Sequence, residues 1–192
     1  MKPRPPVVLA SASPRRRDLL RAIGVEAAVA PTDTDESILD GEDPFDAAER
    51  LARAKARAAA APDDALVLAA DTIVVLDGRA LGKPVDRDDA RRMLRALSGR
   101  THGVVTGVAL RLGGEVVSGR DVTEVVFAPL SDDEIERYVA TGEPDDKAGA
   151  YALQGFAGLF VERIDGTPSN VVGLPVRLVA QLARRLGVDL LP

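Results

Sequence analysis

A group of hydroxyl and guanidinium side chains lies near the start of the chain, where a short apolar segment meets a predicted helix. Ser11 and Ser13 precede Pro14, and Arg15 and Arg16 follow it. The first N–H groups of a helix lack partners within the helix, and the helix dipole is positive there. Hydroxyls and guanidiniums at that place form a ready site for a phosphate or another oxyanion. An ordinary helix cap followed by solvated arginines is the alternative.

A carboxylate interrupts the most apolar segment of the chain. Residues 66–70 are all apolar, Asp71 follows them, and residues 72–76 continue the extended pattern. Burying an unpaired carboxylate is costly. We therefore expect Asp71 to hold a metal, a basic group or a nucleophilic water. A strand-end aspartate bonded to the N–H groups of a turn is the alternative.

Lysine is rare, with four residues against 21 arginines, a bias typical of a GC-rich genome. Lys2 lies in the N-terminal tail, whereas Lys55, Lys83 and Lys147 lie in or beside the motifs that could carry chemistry. Lys55 follows Leu51 by four residues on a predicted helix, so it leans toward the buried face. A compact ammonium suits a phosphate oxygen or a carboxylate. With four residues, chance is the alternative.

The acidic segment 30–43 adds Asp33, Asp35 and Glu36, any of which could join Asp71 around a hard divalent cation. A charged, solvated loop is the alternative and explains most of these residues.

Two further polar residues are singled out by their type. The amide of Gln154 can both donate and accept, which suits the reading of a base edge. His102, the one histidine, lies in a strand pattern and is expected to be structural.

Length and composition limit the classes of protein that this chain can be. With 192 residues, 46% hydrophobic and 29% charged, it is expected to form one globular domain over residues 1–192. The net charge of −5 disfavours duplex nucleic acid or an anionic membrane as an obligatory partner. The absence of cysteine excludes disulfides and thiolate chemistry. No apolar segment suits a signal peptide or a membrane span, so we expect a cytoplasmic protein.

Hydrophobic periodicity and turn residues predict alternating strands and helices. Strands are expected at residues 7–11, 66–76, 101–112, 115–128 and 159–164, and helices at residues 14–24, 44–61, 87–97, 132–141 and 174–186, with a glycine-rich loop over residues 142–158. Residues Ser131 to Glu134 match a capping box at the start of the fourth of these helices. The order of the elements predicts an α/β sandwich around a mixed β-sheet.

Taken together, these residues favour phosphoryl or nucleotidyl transfer to water. Arginines, lysines and a helix N-terminus suit a polyanionic phosphate, and a carboxylate pair can hold Mg²⁺. In such reactions, positioning and charge neutralisation carry the catalysis. A P-loop is absent from the sequence.

Six sequence blocks resemble, in order and over nearly the whole chain, the Maf family of nucleoside triphosphate pyrophosphatases. The blocks are Leu-Ala-Ser-Ala-Ser-Pro-Arg-Arg (9–16), Ala-Asp-Thr (70–72), Gly-Lys-Pro (82–84), Ser-Gly-Arg-Thr-His (98–102), Asp-Lys-Ala-Gly-Ala-Tyr (146–151) and Gln-Gly (154–155).

The resemblance implies an elongated mixed sheet with flanking helices and a central cleft, related to the inosine triphosphate pyrophosphatases. It also implies hydrolysis of a nucleotide between the α and β phosphates to a nucleoside monophosphate and pyrophosphate, with Mg²⁺ or Mn²⁺ as cofactor. The partner would be a small-molecule nucleotide, and a homodimer is expected.

Roles for single residues follow from the same resemblance. Asp71 matches the proton acceptor, and we expect Glu36 to share the cation with it. The family positions linked to base specificity are matched by Arg15, Thr72 and Gln154. The positions that line the phosphate and metal site are matched by Ser11, Arg16, Glu36, Lys55 and Lys83.

The branch within the family is indicated by three features. Ala-Asp-Thr, Lys-Ala-Gly-Ala-Tyr and Gln154 resemble the branch acting on dTTP and UTP, whereas the 7-methyl-GTP branch carries Ser-Asp-Gln and a glutamate at the Gln154 position. Two other classes stay open: a nucleotide-binding regulator of cell division or septum formation without turnover, and a metal-dependent phosphomonoesterase.

Overall fold

The computed structural model of the chain describes residues 4–191, so Lys2 lies outside the described residues. The α-helices are α1 (Pro14–Ala22), α2 (Pro44–Ala58), α3 (Arg87–Leu97), α4 (Asp132–Ala140), α5 (Pro168–Val172) and α6 (Val176–Arg185). The strands are β1 (Val7–Leu9), β2 (Ala27–Val29), β3 (Leu66–Leu76), β4 (Arg79–Leu81), β5 (Thr101–Leu112), β6 (Glu115–Phe127) and β7 (Val161–Asp165).

Among residues 4–191 the strands form one seven-stranded sheet in the order β2-β1-β3-β5-β6-β7, with β4 also paired to β3. Strand β1 is parallel to β2 and β3, and its Leu9 lies opposite Val29 and Leu68. The β3–β4 and β6–β7 pairs are antiparallel. Because both directions occur, the sheet is mixed, and the predicted α/β class with flanking helices is confirmed.

Two compact units divide the chain. The first contains the residues up to Asp71, Thr106–Asp121 and the residues from Gly173 onward. Alternate side chains of β3 enter two different core clusters of this unit. Leu66, Leu68 and Ala70 join a cluster with α1 and α6, whereas Val67 and Ala69 join a cluster with the alanines of α2.

Helix α2 lies against β5 and is held there by a close contact. A Cβ atom built on Gly107 would overlap the carbonyl group of Ala48 and stand 2.5 Å from the backbone nitrogen of Glu49. Arg111 of β5 donates to the carbonyl oxygens of Ala56 (2.9 Å) and Ala59 (2.8 Å) at the end of the helix. The small residue and the capping arginine together fix where α2 lies.

The second unit comprises Thr72–Val105 and Val122–Val172. Its core joins side chains from β3, α3, β5, β6 and α4, among them Val74, Leu94, Val104, Phe127 and Tyr138. Ser131 and Glu134 form a reciprocal capping box at the start of α4, as the sequence predicts.

Several predicted boundaries are wrong. Helix α2 ends at Ala58 and not at Ala61, because Ala59 is extended and Arg111 takes its carbonyl. Helix α6 begins at Val176 rather than Leu174, since Pro175 takes the N-cap position.

The predicted loop 142–158 is partly helical. Three 3₁₀ turns occur there or just beyond it, at Glu143–Asp146, Ala148–Ala150 and Phe156–Phe160. The last of them includes Leu159 and Phe160, so β7 begins at Val161 and not at Leu159. Three short elements, β2, β4 and α5, are not among the predicted strands and helices.

Within residues 4–191, none of the helices has the length and apolar character that crossing a membrane requires.

We expect the substitution Gly107→Ala to destabilise the first unit. The added methyl group would meet backbone atoms of α2, which move less readily than side chains. Overpacking costs about 1–3 kcal/mol of unfolding free energy, and we expect the upper end of this range in a denaturant titration.

Gly114→Ala is the matched control. Among the described residues, no atom outside its neighbours lies within 4 Å of a Cβ atom at Gly114. Equal stabilities of the two variants would show that α2 does not depend on the close approach at Gly107.

Candidate active site

The centre of the candidate site is a buried lysine that contacts two carboxylates. The Lys55 ammonium lies 2.6 Å from Oδ1 of Asp71 and 2.5 Å from Oε1 of Glu36. The side chains of Lys55 and Asp71 are 8% and 13% exposed, whereas that of Glu36 is 53% exposed. The ammonium and the Asp71 carboxylate are thus withdrawn from water, and Glu36 links them to solvent.

The period of strand β3 explains why Asp71 meets Lys55. Successive strand residues point to opposite faces of a sheet, so Asp71 shares the face of Val67 and Ala69. That face packs against the buried side of α2, which carries Ala52 and Lys55. The sequence-based expectation that Lys55 leans toward the buried face is confirmed.

Arg16 and Ser11 form the second part of this cluster. Arg16 donates from Nη1 to the hydroxyl of Ser11 (2.9 Å) and from Nε to the carbonyl of Gly173 (2.8 Å). Burial lowers the pKa of the Arg16 guanidinium, and the positive charge of Arg15 adds to this effect. The negative charges of Asp71 and Glu36 oppose it. Arg16 therefore lies within electrostatic reach of both carboxylates.

Ser13 and Arg15 lie at the first turn of α1. Ser13 is the N-cap residue and Pro14 follows it, as predicted. Within residues 4–191, however, the Ser13 side chain makes no capping hydrogen bond; its backbone N–H donates instead to the Ser11 hydroxyl (3.2 Å). Arg15 is half-buried.

The other acidic residues of the loop do not join this cluster. Asp33 and Asp35 are exposed. The Asp35 carboxylate accepts from the backbone N–H of Ser37 (2.8 Å), and this hydrogen bond lowers the pKa of Asp35. Glu36 alone of the three contacts Lys55.

Three of the residues expected to bind substrate belong to the second unit. Thr72 is half-buried, and Lys83 and Gln154 are exposed. The Gly-Lys-Pro motif (82–84) adjoins the motif 146–151, because the Gly149 N–H donates to the Gly82 carbonyl (3.0 Å).

His102 is structural, as predicted. Its ring is buried and its Nε2 is hydrogen-bonded to the Tyr151 hydroxyl (2.8 Å). The ring also makes an edge contact with Phe127, with 5.0 Å between centroids. Burial lowers the pKa of His102 to about 4. In residues 4–191 its Nδ1 has no hydrogen-bond partner.

A divalent cation in this site would need carboxylate ligands. The described residues contain no group of three or more histidine, aspartate or glutamate side chains suited to a metal. Two carboxylates, Glu36 and Asp71, do converge on the Lys55 nitrogen. Mg²⁺ is commonly held by one or two carboxylates together with water and substrate phosphates, so this pair fits a cation that arrives with a nucleotide.

Sequence reasoning missed Gly173, whose carbonyl holds the Arg16 side chain. The two residues are 157 positions apart, and a backbone acceptor has no signature in residue type. A contact of this kind becomes visible only in the folded chain.

A protein-family model, described as Maf-like protein, matches residues 6–186. The dTTP/UTP pyrophosphatase of Anaeromyxobacter dehalogenans strain 2CP-1 is 57% identical to this chain over 190 residues, covering 97% of the chain and 96% of the relative. The dTTP/UTP pyrophosphatase of Geobacter sulfurreducens is 54% identical over 184 residues, covering 94% and 96%.

Two solved structures align with most of this chain. The Staphylococcus aureus Ham1 protein has a TM-score of 0.46 at 17% identity, covering 95% of this chain and 93% of that one. A nucleoside-triphosphatase / dITP/XTP pyrophosphatase from Mycobacterium abscessus has a TM-score of 0.42 at 15% identity, covering 93% and 94%.

We expect Lys55→Met to destabilise the protein strongly. Removing one partner of a buried ion pair leaves the other charge buried without compensation, which costs about 3–5 kcal/mol. Urea titration at pH 7 should show this loss, and adding Asp71→Asn to Lys55→Met should restore a large part of it.

The control is Arg53→Met, which removes an exposed base from the same helix and should change stability by less than about 0.5 kcal/mol. A Lys55→Met variant as stable as the control would contradict the buried pair.

Stability should fall at mildly acidic pH because of His102. In the unfolded chain a histidine binds its proton below about pH 6.5, whereas folded His102 binds it only near pH 4. Between these pH values the unfolded state holds more protons than the folded state. The contribution of neutral His102 to the unfolding free energy is therefore complete above pH 6.5 and is lost as the pH decreases. The loss approaches about 3 kcal/mol at pH 4.

His102→Gln, compared with the unsubstituted chain between pH 7 and pH 5, separates this effect from the titration of carboxylates. The variant should lack this part of the pH dependence. If the unfolding free energy changes equally with pH in both proteins, His102 is excluded as the source of this pH dependence.

Proposed function

Since this chain belongs to the Maf family, we propose that it is a nucleoside triphosphate pyrophosphatase that hydrolyses dTTP and UTP between the α and β phosphates. The products are the nucleoside monophosphate and pyrophosphate. The choice of substrate is supported by the names of the curated relatives. The chemistry is supported by one observation above all, the buried ammonium of Lys55 held between Asp71 and Glu36.

In this proposal Asp71 accepts a proton from the attacking water. A base must be held in place to act within hydrogen-bond reach of that water. The contact from Lys55 to Oδ1 fixes the Asp71 carboxylate, and the apolar residues 66–70 before it place it at the end of a buried run. General-base catalysis of this kind contributes about 10²–10⁴-fold to the rate.

The basic groups of the first unit would bind the triphosphate. Arg16 is oriented by Ser11 and by the Gly173 carbonyl, and Arg15 lies beside it. At the first turn of α1, backbone N–H groups without a side-chain cap add a partial positive charge. Preorganised donors of this type stabilise the charge that develops on phosphate oxygens in the transition state.

Glu36 and Asp71 are the residues that would hold Mg²⁺ or Mn²⁺, which when bound supplies positive charge against the phosphate oxygens. Glu36 suits this task because its side chain is half exposed while one of its oxygens contacts Lys55.

Three residues of the second unit have proposed roles of their own. Lys83 offers a compact, exposed ammonium for a phosphate oxygen. Thr72 and Gln154 offer a hydroxyl and an amide to the base. These three roles rest on the resemblance of their motifs to the family.

Product analysis tests the proposed function. The protein is incubated with dTTP, UTP, dCTP and GTP in the presence of Mg²⁺, and monophosphate, pyrophosphate and orthophosphate are separated. We expect pyrophosphate and monophosphate in equal amounts, fastest from dTTP and UTP. Orthophosphate as the first product would indicate a phosphomonoesterase, and nucleotide binding without product would indicate a binding protein.

In Asp71→Asn the Lys55 ammonium keeps Glu36 as a charged partner, so the variant should retain the fold. It should lower kcat/KM for dTTP by about 10²–10⁴-fold, or roughly 3–5 kcal/mol of transition-state stabilisation. The matched control is Asp64→Asn, which changes an exposed aspartate of the same unit and should leave kcat/KM unchanged. Near-normal turnover by Asp71→Asn would refute the role of Asp71 as base.

A further inference from the structure

The segment that carries Gln154 has little regular structure of its own. Gln154 and Gly155 are exposed and lie outside the helices and strands. A side chain that discriminates between bases must be held in a narrow range of positions, because a mobile amide can rotate or shift to suit either base edge. Some other group must therefore fix this segment.

The carboxylate of Glu143 binds the backbone directly after Gln154. Its Oε2 accepts from the N–H of Phe156 (3.0 Å), and its Oε1 accepts from the N–H of Ala157 (3.3 Å). These are the first N–H groups of the 3₁₀ turn Phe156–Phe160. Hydrogen bonds to an ionised group are stronger than those between neutral partners, so these two bonds fix the first residues of the turn.

Glu143 is itself fixed at the end of helix α4. The buried Tyr138 donates its hydroxyl to Oε1 of Glu143 (2.9 Å). Burial, followed by this hydrogen bond, raises the pKa of Tyr138, so its hydroxyl keeps its proton. The backbone N–H of Glu143 donates to the Thr141 hydroxyl (3.1 Å).

The ring of Tyr138 also packs edge-on against Phe160, with 5.1 Å between centroids. Tyr138 thus holds the far end of the turn by its ring and the near end through Glu143.

Gly155 shows that the contact is close. Its backbone (φ 127°, ψ −157°) lies in a region that is essentially restricted to glycine. A Cβ atom at this position would stand 2.5 Å from Oε2 of Glu143. Because Gly155 has no side chain, the Glu143 carboxylate can lie directly against the backbone next to Gln154.

We propose that Glu143 is a positioning residue for base selectivity, which holds the backbone of the Gln154 segment so that the amide meets one base edge. This inference rests on the proposed function, since it assumes that Gln154 reads the base of a nucleoside triphosphate. Thymine presents the O4 acceptor where cytosine presents the N4 donor. A fixed amide distinguishes these two edges, and a loosely held amide accepts both.

The test compares Glu143→Gln with the unsubstituted enzyme. An amide has one acceptor oxygen, and its NH₂ group would face a backbone N–H, so at least one of the two backbone hydrogen bonds is lost. We expect the ratio of kcat/KM for dTTP to that for dCTP to fall about tenfold, the effect of one weakened hydrogen bond to the base. KM for dTTP should rise while kcat stays within about twofold, because the Lys55 and Asp71 pair is unchanged.

Two comparisons separate positioning from general loss of structure. Glu162→Gln removes the same charge from an exposed position on β7 and should leave the ratio unchanged. In a double-mutant cycle, Glu143→Gln should have no further effect on the ratio once Gln154→Ala is present, since Glu143 acts through Gln154. If Glu143→Gln fails to fold, Tyr138→Phe, which keeps the ring and removes the hydroxyl, should lower the ratio about threefold.

An unchanged ratio in the folded Glu143 or Tyr138 variant overturns the inference, as does an equal effect of Glu143→Gln with and without Gln154. Release of pyrophosphate from dTTP and dCTP at equal efficiency by the unsubstituted enzyme also overturns the inference; it removes the proposed base preference and leaves the pyrophosphatase activity standing. A protein that releases no pyrophosphate from any nucleotide refutes the proposed function itself.

Discussion

The ammonium of Lys55, withdrawn from water and in contact with two carboxylates, is the interaction on which the rest of the site depends. Removing an ion from water costs several kcal/mol, and this cost is offset only when an opposite charge is held in good geometry. The fold must therefore bring α2 and the middle of β3 together closely. Small residues make this approach achievable, because alanines line the buried side of α2 and Gly107 removes the side chain where the helix meets β5.

The need to pair the buried Lys55 charge also determines how the charged groups of the cluster are held. Asp71 is withdrawn from water yet paired, so it is held in one position, whereas Glu36 extends the carboxylate pair toward solvent. Arg16 adds a guanidinium that is oriented by Ser11 and by a backbone carbonyl. An arrangement of fixed charges that needs little reorganisation is the usual source of catalytic power in phosphoryl transfer. The segment that we propose for base recognition is a different part of the chain, and hydrogen bonds around Glu143 hold it.

The sequence predicted those parts that depend on local pattern. The apolar run before Asp71, the capping box of α4 and the inward lean of Lys55 follow from residue type and period alone, and each is confirmed. The predicted end of α2 and the predicted start of β7 are wrong because distant groups determine them. Arg111 donates to the carbonyl of Ala59, and the Glu143 carboxylate accepts from the first N–H groups of the turn before β7. The sequence also could not show that Glu36, and not Asp33 or Asp35, would contact Lys55. All three are acids in one irregular loop, and the tertiary path of that loop chooses between them.

In the proposed reaction the site directs water to the α-phosphorus of the nucleotide and not to the β-phosphorus. Hydrolysis of dTTP in water enriched in ¹⁸O, followed by mass spectrometry of both products, tests this claim most directly. We expect one ¹⁸O atom in the nucleoside monophosphate and none in the pyrophosphate. Label in the pyrophosphate would place the attack on the β-phosphorus and would contradict the proposed reaction.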